Sequence, residues 1–451
     1  MTTSIQSLID AVADDDNWAV EAVEILLRAA EEAGCSDLHV LCQRERVLAR
    51  GRRDGALFHI AEIPVQRREL LIARFKVLAG LPAFIRNEPQ DGRIEWRRGE
   101  GEKGEKGEKG EKGEKGEKGE KGEKGVKGEK GAKAGSEGRE NAPSAADDSA
   151  NTGGAETRML RVSFLPTIHG QNAVIRFPER AAHAFGLDTL GMSEAVHKGV
   201  ADLLSRPEGT ILLTGPSSSG KTTTMYAMLQ RLHEWRGDRL NFLTIEDPIE
   251  RDLGFAGQVQ VNEAQGLTFE RALRSALRQD PNVLMIGEIR DAETALTAIQ
   301  AGMTGHLVLS TIHAGRASRV FTRILSMGIA PYLVASALSG AVAQRLARLL
   351  CVKCRRPAPE KVGGFVAPGC DACAGTGHQG RAGLFELICV SERLRELILS
   401  QTTPDRIAAE AQRERIGDLD EEARKAFDRG AISRAEYEFL STGGALEGKA
   451  G

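Results

Sequence analysis

The chain has 451 residues, 41% of them apolar, and a formal net charge of −3. The length allows two or three domains with sizeable cores, and the near-neutral charge argues against bulk attraction to nucleic acid or anionic lipid. No apolar run approaches the ~20 residues of a transmembrane helix, and the first residues lack the basic and apolar segments of a secretory signal. A cytoplasmic protein is therefore expected, in which the seven cysteines are metal ligands or buried thiols rather than disulfides.

The amino-terminal part is expected to form a small α/β domain over residues 15–180, preceded by a flexible tail over residues 1–14. Inside it lies a low-complexity insert at about residues 99–155, which has glycine at every third position from Gly101 onward. That period is the signature of a collagen triple helix, but the repeat has no proline and almost nothing apolar to bury. A solvated loop is the favoured interpretation, with a tether for a partner as the alternative.

The segments on either side of the insert are rich in β-formers. "PQDGRIEWR" precedes it and "RMLRVSFLPTIHG" follows it, and both patterns predict strands. Because the cost of closing a loop grows only logarithmically with its length, a hairpin can carry such an insert at its tip. The sequence therefore predicts a β-hairpin with an enlarged tip.

The strongest local pattern is a phosphate-binding loop. A predicted strand over residues 210–214 is followed by "GPSSSGKTTT" and by a helical pattern, which is the context of a P-loop. Lys221 would reach the β and γ phosphates of ATP, and Thr222 would hold Mg²⁺. The alternative is a chance match in a loop rich in glycine and serine. The predicted nucleotide-binding residues are Gly215, Pro216, Ser217, Ser218, Ser219, Gly220, Lys221, Thr222 and Thr223.

Acidic residues follow the next predicted strands, where an open α/β sheet has its ligand crevice. The run "NFLTIEDPIE" contains Glu246, Asp247 and Glu250 at its end. The strand "NVLMIG" runs into Glu288 in the Walker-B arrangement, and "HLVLST" ends close to His313, which could sense the γ phosphate. The alternatives are an acidic turn and a structural histidine.

A predicted helix in "TFERALRSALRQD" places three arginines on one face, because they lie three and four positions apart. They are Arg271, Arg274 and Arg278. The pattern alone is equally consistent with a solvated helix face.

Four segments in this order resemble the Walker A, Asp box, Walker B and His box of the secretion ATPases: "GPSSSGKTTT", "TIEDPIE", "LRQDPNVLMIGEIRD" and "TGHLVLSTIHA". This family drives type II secretion and type IV pilus assembly and retraction, with GspE, PilB and PilT as members. The resemblance covers nearly the whole chain apart from the insert and both ends. It implies an α/β fold with a RecA-like P-loop NTPase core over residues 191–451, a linker at residues 181–190 and a smaller amino-terminal α/β (PAS-like) domain.

The resemblance also implies roles for single residues. Glu250 would be the general base, with Glu246 as the second choice. Glu288 would act in the Walker-B role, and His313 would belong to the box that senses the γ phosphate. Family members are homohexamers in which arginines reach the nucleotide, and the matching positions are Arg93, Arg161, Arg274 and Arg278.

The chain departs from the family pattern at two places. The family loop reads Gly-Pro-Thr-Gly-Ser-Gly-Lys, whereas Ser217 and Ser218 stand at its third and fourth positions. A serine is unfavourable there if the position requires a positive φ. The family's His box continues with Thr-Asn, whereas this chain has Ala314 and Gly315. Slow hydrolysis is therefore possible.

Two C-x-x-C pairs, "CVKC" and "CDAC", predict a structural zinc module over residues 351–373. The alternative is four unmetallated thiols. By resemblance this motif belongs to the GspE and PilB branch and not to PilT, which favours assembly over retraction; a helical carboxyl-terminal region would follow it. The predicted zinc ligands are Cys351, Cys354, Cys370 and Cys373.

The resemblance implies a hexameric, Mg²⁺-dependent ATPase that drives assembly of a type II secretion pseudopilus or a type IV pilus, with ATP, Mg²⁺ and Zn²⁺ as cofactors. The implied partners are inner-membrane platform proteins, which would hold a cytoplasmic chain at the membrane periphery; no nucleic acid is expected. The additional amino-terminal docking domain of GspE and PilB is expected to be absent, so the docking partner stays open. The alternatives are a degenerate ATP-binding regulatory subunit and a nucleic-acid motor.

Overall fold

The computed structural model describes residues 5–11, 17–97, 157–178, 186–359 and 363–442. The amino-terminal domain is built on an antiparallel sheet of six strands in the order β3-β2-β1-β6-β5-β4. Its strands are β1 Asp37–Cys42, β2 Arg46–Arg53, β3 Ala56–Pro64, β4 Gln90–Arg97, β5 Thr157–Thr167 and β6 Gly170–Arg176. Its helices are α1 Ile5–Ala11, α2 Trp18–Glu32 and α3 Arg68–Leu78.

The two faces of this sheet differ in character because successive residues of a strand point to opposite sides. One face is apolar and packs on the helices, so that Val40 and Val162 share a core with Leu26 of α2 and Phe75 of α3. The other face carries a row of charged residues that are partners in the strand register. The row consists of Arg52, Asp37, Arg176, Arg161 and Arg93.

The expected flexible tail over residues 1–14 is wrong for α1. The Ile9 side chain is 2% exposed in the domain core. The Gln6 amide nitrogen donates to the Glu62 carbonyl at 3.0 Å, and its oxygen accepts from the Glu62 N–H at 2.8 Å. The Gln6 side chain therefore pairs with β3 as a strand residue would, which fixes α1 on the sheet.

The predicted hairpin around the insert is confirmed. Strands β4 and β5 pair in an antiparallel register that places Arg93 opposite Arg161 and Arg97 opposite Thr157. The low-complexity insert itself lies outside the described residues.

The second domain is built on a seven-stranded sheet in the order β15-β12-β7-β11-β10-β8-β9. All neighbours are parallel except β15, which is antiparallel to β12. Its strands are β7 Gly209–Thr214, β8 Phe242–Glu246, β9 Gly257–Gln260, β10 Val283–Ile286, β11 Leu307–Thr311, β12 Leu338–Leu350 and β15 His378–Cys389; a two-stranded ribbon, β13 Arg356–Pro357 and β14 Phe365–Val366, lies between the last two.

Helices cover both faces of this sheet, which is why its central strands read as continuous apolar runs. Leu212, Leu284 and Val308 belong to the core on one face, and their neighbours Leu213 and Leu309 belong to the core on the other. The helices are α4 Glu194–Leu204, α5 Lys221–Arg236, α6 Phe269–Ala276, α7 Ala292–Ala301, α8 Ala317–Ser326, α9 Pro331–Ala337, α10 Glu392–Leu399, α11 Pro404–Arg413, α12 Leu419–Asp428 and α13 Arg434–Ser441.

The linker expected at residues 181–190 ends earlier than residue 190. Leu187 is 1% exposed and lies in the same core as α4 and α5, with Leu190 packed against that core. The second domain therefore begins before residue 190, while residues 181–185 lie outside the described part of the chain. No helix in the described ranges combines the length and apolar character that crossing a bilayer requires.

Candidate functional site

The phosphate loop connects β7 to α5, as the sequence predicts. Gly215 has φ 156° and Gly220 has φ 86°, which are backbone conformations that glycine adopts readily. The Lys221 Nζ donates to the carbonyls of Gly215 and Pro216 at 3.0 and 2.8 Å. Burial lowers the pKa of Lys221, and the Glu288 carboxylate partly offsets that effect. The Lys221 side chain therefore lies against the loop, at the N-terminus of α5.

The loop fits a phosphate group on two observations. The Ser219 hydroxyl is buried and has no hydrogen-bond partner among the described residues. The loop also packs closely on Gln344 of β12, because a Cβ at Gly215 would lie 2.3 Å from the Gln344 carbonyl oxygen and one at Gly220 would lie 2.9 Å from its amide nitrogen. A buried hydroxyl and a cradle of backbone N–H groups at a helix N-terminus are suited to an anion.

Glu288 and His313 lie beside the loop, at the carboxyl ends of β10 and β11. The His313 Nε2 is 3.9 Å from a Glu288 carboxylate oxygen, and the Arg290 guanidinium donates to the other at 2.5 Å. The hydrogen bond from Arg290 holds the pKa of Glu288 below its usual range, although partial burial acts in the opposite direction. Glu288 is therefore an ionised carboxylate at neutral pH, close to Lys221 of the phosphate loop.

Glu246 and Glu250 differ strongly in their surroundings. Glu246 ends β8, is 2% exposed, and accepts hydrogen bonds from the Tyr226 hydroxyl, from Thr244 at 2.6 Å and from Gln258 at 2.9 Å. Burial and the bond to Glu246 raise the pKa of Tyr226. Glu250 is exposed, and its N–H lies 3.4 Å from the Tyr226 hydroxyl. The three donors hold the Glu246 carboxylate in place, whereas the Glu250 carboxylate faces solvent.

The predicted arginines fall into two pairs. Arg93 and Arg161 line a cleft of about 570 Å³ between the charged face of the first sheet and residues Asp247 and Gln260 of the second domain. Arg274 and Arg278 are not among the lining residues of this cleft. Arg274 pairs with Glu270 at 2.6 Å and Glu293 at 2.9 Å, and Arg278 donates to the Arg274 carbonyl at 2.9 Å, all on the exposed face of α6 and its end.

The four cysteines of the two C-x-x-C pairs come together. Their sulfur atoms all lie within 4.8 Å of one another. Neighbouring Sγ···Sγ distances are 3.8 Å for Cys370–Cys373, 3.9 Å for Cys351–Cys370 and 4.0 Å for Cys354–Cys373. A tetrahedral zinc ion with Zn–S bonds of ~2.3 Å separates its sulfurs by about 3.8 Å.

The surroundings of Cys373 also suit a metal thiolate. The N–H groups of Cys370 and Gly377 donate to its sulfur at 3.1 and 3.3 Å. Although burial raises it, these bonds lower the pKa of Cys373 to about 6. A closed set of four sulfurs leaves no open position, so the site fits a structural role.

Comparison with known proteins bears on what this site does. The family described as "Type II/IV secretion system protein" matches residues 12–103 and 143–439. The chain belongs to this family. The type II secretion system ATPase E of Vibrio cholerae is 36% identical over 402 residues, which cover 86% of this chain and 68% of that protein. The type IV pilus assembly ATPase PilB of Pseudomonas aeruginosa is 34% identical over 427 residues, which cover 91% of this chain and 65% of that protein.

Solved structures show the same fold. The ATPase DotB of Legionella pneumophila matches with a TM-score of 0.60 at 18% identity, covering 93% of this chain and 95% of DotB. The pilus retraction motor PilT with bound ADP matches with a TM-score of 0.53 at 20% identity, covering 93% of this chain and 96% of PilT. The α/β core with a smaller amino-terminal domain is therefore the architecture of this type II/IV secretion family.

Sequence reasoning missed two residues that the fold brings to the site of this family member. Arg176 lines the same cleft as Arg93 and Arg161. Gln344 accepts from the buried Thr224 hydroxyl at 2.8 Å behind the phosphate loop. Gln344 is an uncharged polar residue that directly follows the apolar residues "AVA", and this change of polarity is a signal that could have identified it. Arg176 gives no local signal because its place depends on the strand register.

Proposed function

We propose that this chain is an ATP-hydrolysing motor subunit that drives assembly of a type II secretion pseudopilus or a type IV pilus. The observation that carries the proposal is the convergence of Lys221, Glu288 and His313 at the carboxyl ends of adjacent parallel strands. Relatives named as a type II secretion ATPase and a pilus assembly ATPase support the same proposed function.

The proposed chemistry is phosphoryl transfer to water, which depends mainly on positioning and charge stabilisation. Residues 215–223 bind the phosphates of ATP, with Lys221 on the β and γ phosphates and Thr222 as a ligand of Mg²⁺. The metal ion would neutralise part of the negative charge of the phosphates. Glu288 would hold the metal or its waters, and His313 would contact the γ phosphate.

We assign the general base to Glu250 before Glu246. Glu246 is fixed by three hydrogen bonds in a buried position and serves to hold Tyr226 and Gln258. Glu250 is exposed at the crevice and can reach a water molecule. Arg93 and Arg161 would stabilise phosphate charge from the amino-terminal domain when the cleft closes. Arg274 and Arg278 would act only across a subunit boundary, because within one chain they pair with α6 and α7 residues.

We further propose a homohexamer that docks on inner-membrane platform proteins from the cytoplasmic side, with Zn²⁺ held by the four cysteines. The test is steady-state ATPase activity with oligomer size followed in parallel, for the wild type and for Glu288→Gln, Glu250→Gln and the control Glu234→Gln. Glu234 is an exposed residue of α5 whose side chain is 49% exposed. We expect turnover in a hexamer, lost in Glu288→Gln with ATP binding retained, and lowered about 10²–10⁴-fold in Glu250→Gln, as for removal of a general base.

Glu234→Gln is expected to behave as the wild type. Tight ATP binding without turnover in the wild type would contradict the motor and favour an ATP-binding regulatory subunit. Stimulation of turnover by single-stranded DNA would favour a nucleic-acid motor instead.

A further inference from the structure

The loop that carries His313 is attached to the nucleotide site at its first half. We call residues 313–316, between β11 and α8, the 313–316 loop. The Ala314 N–H donates to the Thr214 hydroxyl at 2.9 Å, and Thr214 is the last residue of β7 before the phosphate loop. The His313 ring lies 3.9 Å from Glu288. A displacement of this loop would therefore move His313 relative to the phosphates.

Little within the loop itself can fix its position. Ala314 and Gly315 have no polar side chain, and Gly315 has φ 76°. Arg316 is the only residue of the loop besides His313 with a side chain that can form hydrogen bonds. Its guanidinium forms ion pairs with Glu386 of β15, at 3.4 Å, and with Asp420 of α12.

Glu386 ties the same loop to the start of α8. It is fully buried, and its Oε1 accepts from the Ala317 N–H at 3.1 Å. Arg316 is the N-cap residue of α8 but forms no side-chain cap. The Glu386 carboxylate thus satisfies an N–H group of the first turn that would otherwise lack a partner.

Asp420 connects the loop to the carboxyl-terminal helices. It lies in the first turn of α12, whose N-cap Asp418 accepts from the Asp420 N–H at 2.8 Å. Arg345 of β12 donates to the Leu440 carbonyl at the end of α13. Arg316 and Arg345 thereby contact α12 and α13, the last two helices of the described residues.

We propose that the Arg316–Glu386–Asp420 cluster is a positioning device that couples the 313–316 loop at the nucleotide site to α12 in the carboxyl-terminal region. The inference rests on the proposed ATPase function. When bound nucleotide moves His313, the ion pairs of Arg316 transmit the change to α12. Without the Asp420 carboxylate, Arg316 keeps its ion pair with Glu386 but loses the one that connects it to α12. Residues of the cluster act through His313 and touch no phosphate.

The test variant is Asp420→Asn, because Asp420 is partly exposed and its side chain can lose its charge without leaving a cavity. Asp428→Asn is the matched control, since Asp428 is an exposed aspartate at the other end of α12. Asp420→Glu restores the charge and is the rescue variant. Turnover, ATP binding and hydrogen exchange of α12 with and without ADP are measured in the full chain.

We expect Asp420→Asn to lower kcat about three- to thirtyfold, the range of a coupling interaction, with ATP binding and the thermal midpoint close to those of the wild type. ADP should increase protection of α12 in the wild type and in Asp428→Asn but not in Asp420→Asn, and Asp420→Glu should recover both properties. Unchanged kcat and unchanged ADP-dependent protection in Asp420→Asn would overturn the coupling. Parallel losses of kcat, binding and thermal midpoint would assign Asp420 a structural role only.

The two proposals fail in different ways. Absence of turnover in the wild type would contradict the motor, while the ADP-dependent exchange of α12 would still decide the coupling.

Discussion

Ser218 adopts a left-handed backbone conformation, φ 60°, inside the phosphate loop. A side chain in this region costs about 1–2 kcal/mol relative to the right-handed region, and glycine avoids that cost. The left-handed backbone at Ser218 is therefore kept at the expense of local strain. Strain of this kind is common at ligand-binding loops.

The comparison of two adjacent serines isolates this strain. Ser217 and Ser218 are both exposed, and only Ser218 has a positive φ. We expect Ser217→Gly to lower the free energy of unfolding by about 0.5–1 kcal/mol, because glycine loses more backbone entropy on folding. Ser218→Gly should leave it unchanged or raise it by up to about 1 kcal/mol, since relief of strain offsets the entropy. Chemical denaturation measures both, and equal effects of the two substitutions would contradict the strain.

The choice between Glu246 and Glu250 as general base depends on contacts that could not be predicted from the sequence. Glu246 and Glu250 stand in one short acidic segment and look alike in sequence. Their difference arises from Tyr226 on α5 and Gln258 on β9, which meet Glu246 only in the folded domain. The positions of Lys221, Glu288 and His313 were predictable because each lies in the segment that follows an apolar parallel strand, and such segments meet at the crevice.

Elements with strong local patterns were predictable, and elements fixed by distant contacts were not. The strands β7, β8, β10 and β11 are continuous apolar runs, which is typical of strands covered on both faces. Helix α1 has only seven residues, and its place on the sheet depends on Gln6 pairing with Glu62 across 56 positions of sequence. A local pattern carries no information about such a contact.

The zinc module provides a test at the scale of a structural element. Cys370→Ser removes one of the four sulfurs that lie within 4.8 Å of one another, whereas Cys389→Ser changes a thiol outside this group. We expect about one zinc ion per chain in the wild type and in Cys389→Ser, and little zinc in Cys370→Ser, because a structural site uses all four ligands. Loss of zinc should also lower stability, because the binding energy at such a site contributes to folding. A loss of about 2 kcal/mol would lower the thermal midpoint by roughly 4–8 °C in domains of this size.

Metal analysis and thermal unfolding measure these effects. Zinc retained in Cys370→Ser, or an absence of zinc in the wild type prepared with zinc present, would contradict the assignment.

At the scale of the whole molecule, the two domains contact each other beside the four-cysteine cluster. The tight turn between β2 and β3 has Asp54 at φ 51° followed by Gly55 at φ 81°, as an Asp-Gly hairpin turn requires. The Asp54 carboxylate accepts from the Gly380 N–H at 2.8 Å and lies 3.9 Å from the Arg381 guanidinium. Gly380 is the third residue of β15, the strand that follows the cysteine cluster, so the amino-terminal domain contacts the second domain beside this cluster.

This contact can be removed without disturbing the turn. Asp54→Gly tolerates the positive φ but has no acceptor, whereas Asp54→Asn keeps both the turn preference and an acceptor oxygen. We expect hydrogen exchange of the peptide that contains Gly380 to increase in Asp54→Gly and to stay close to wild type in Asp54→Asn, with a loss of about 1 kcal/mol for the hydrogen bond. Equal exchange in all three proteins would show that this bond does not hold the domains together.

The hairpin formed by β4 and β5 has a consequence for engineering. Because Arg97 and Thr157 are partners in its register, the chain leaves the sheet and returns to it at neighbouring points. Such a position accepts a folded guest whose own ends lie close together, since the closure entropy of a loop rises by only about 0.6 kcal/mol for each doubling of its length. A fluorescent protein exchanged for residues 98–156 would therefore label the chain internally, so that neither chain end is used for the label and both can serve for surface attachment in single-molecule recordings.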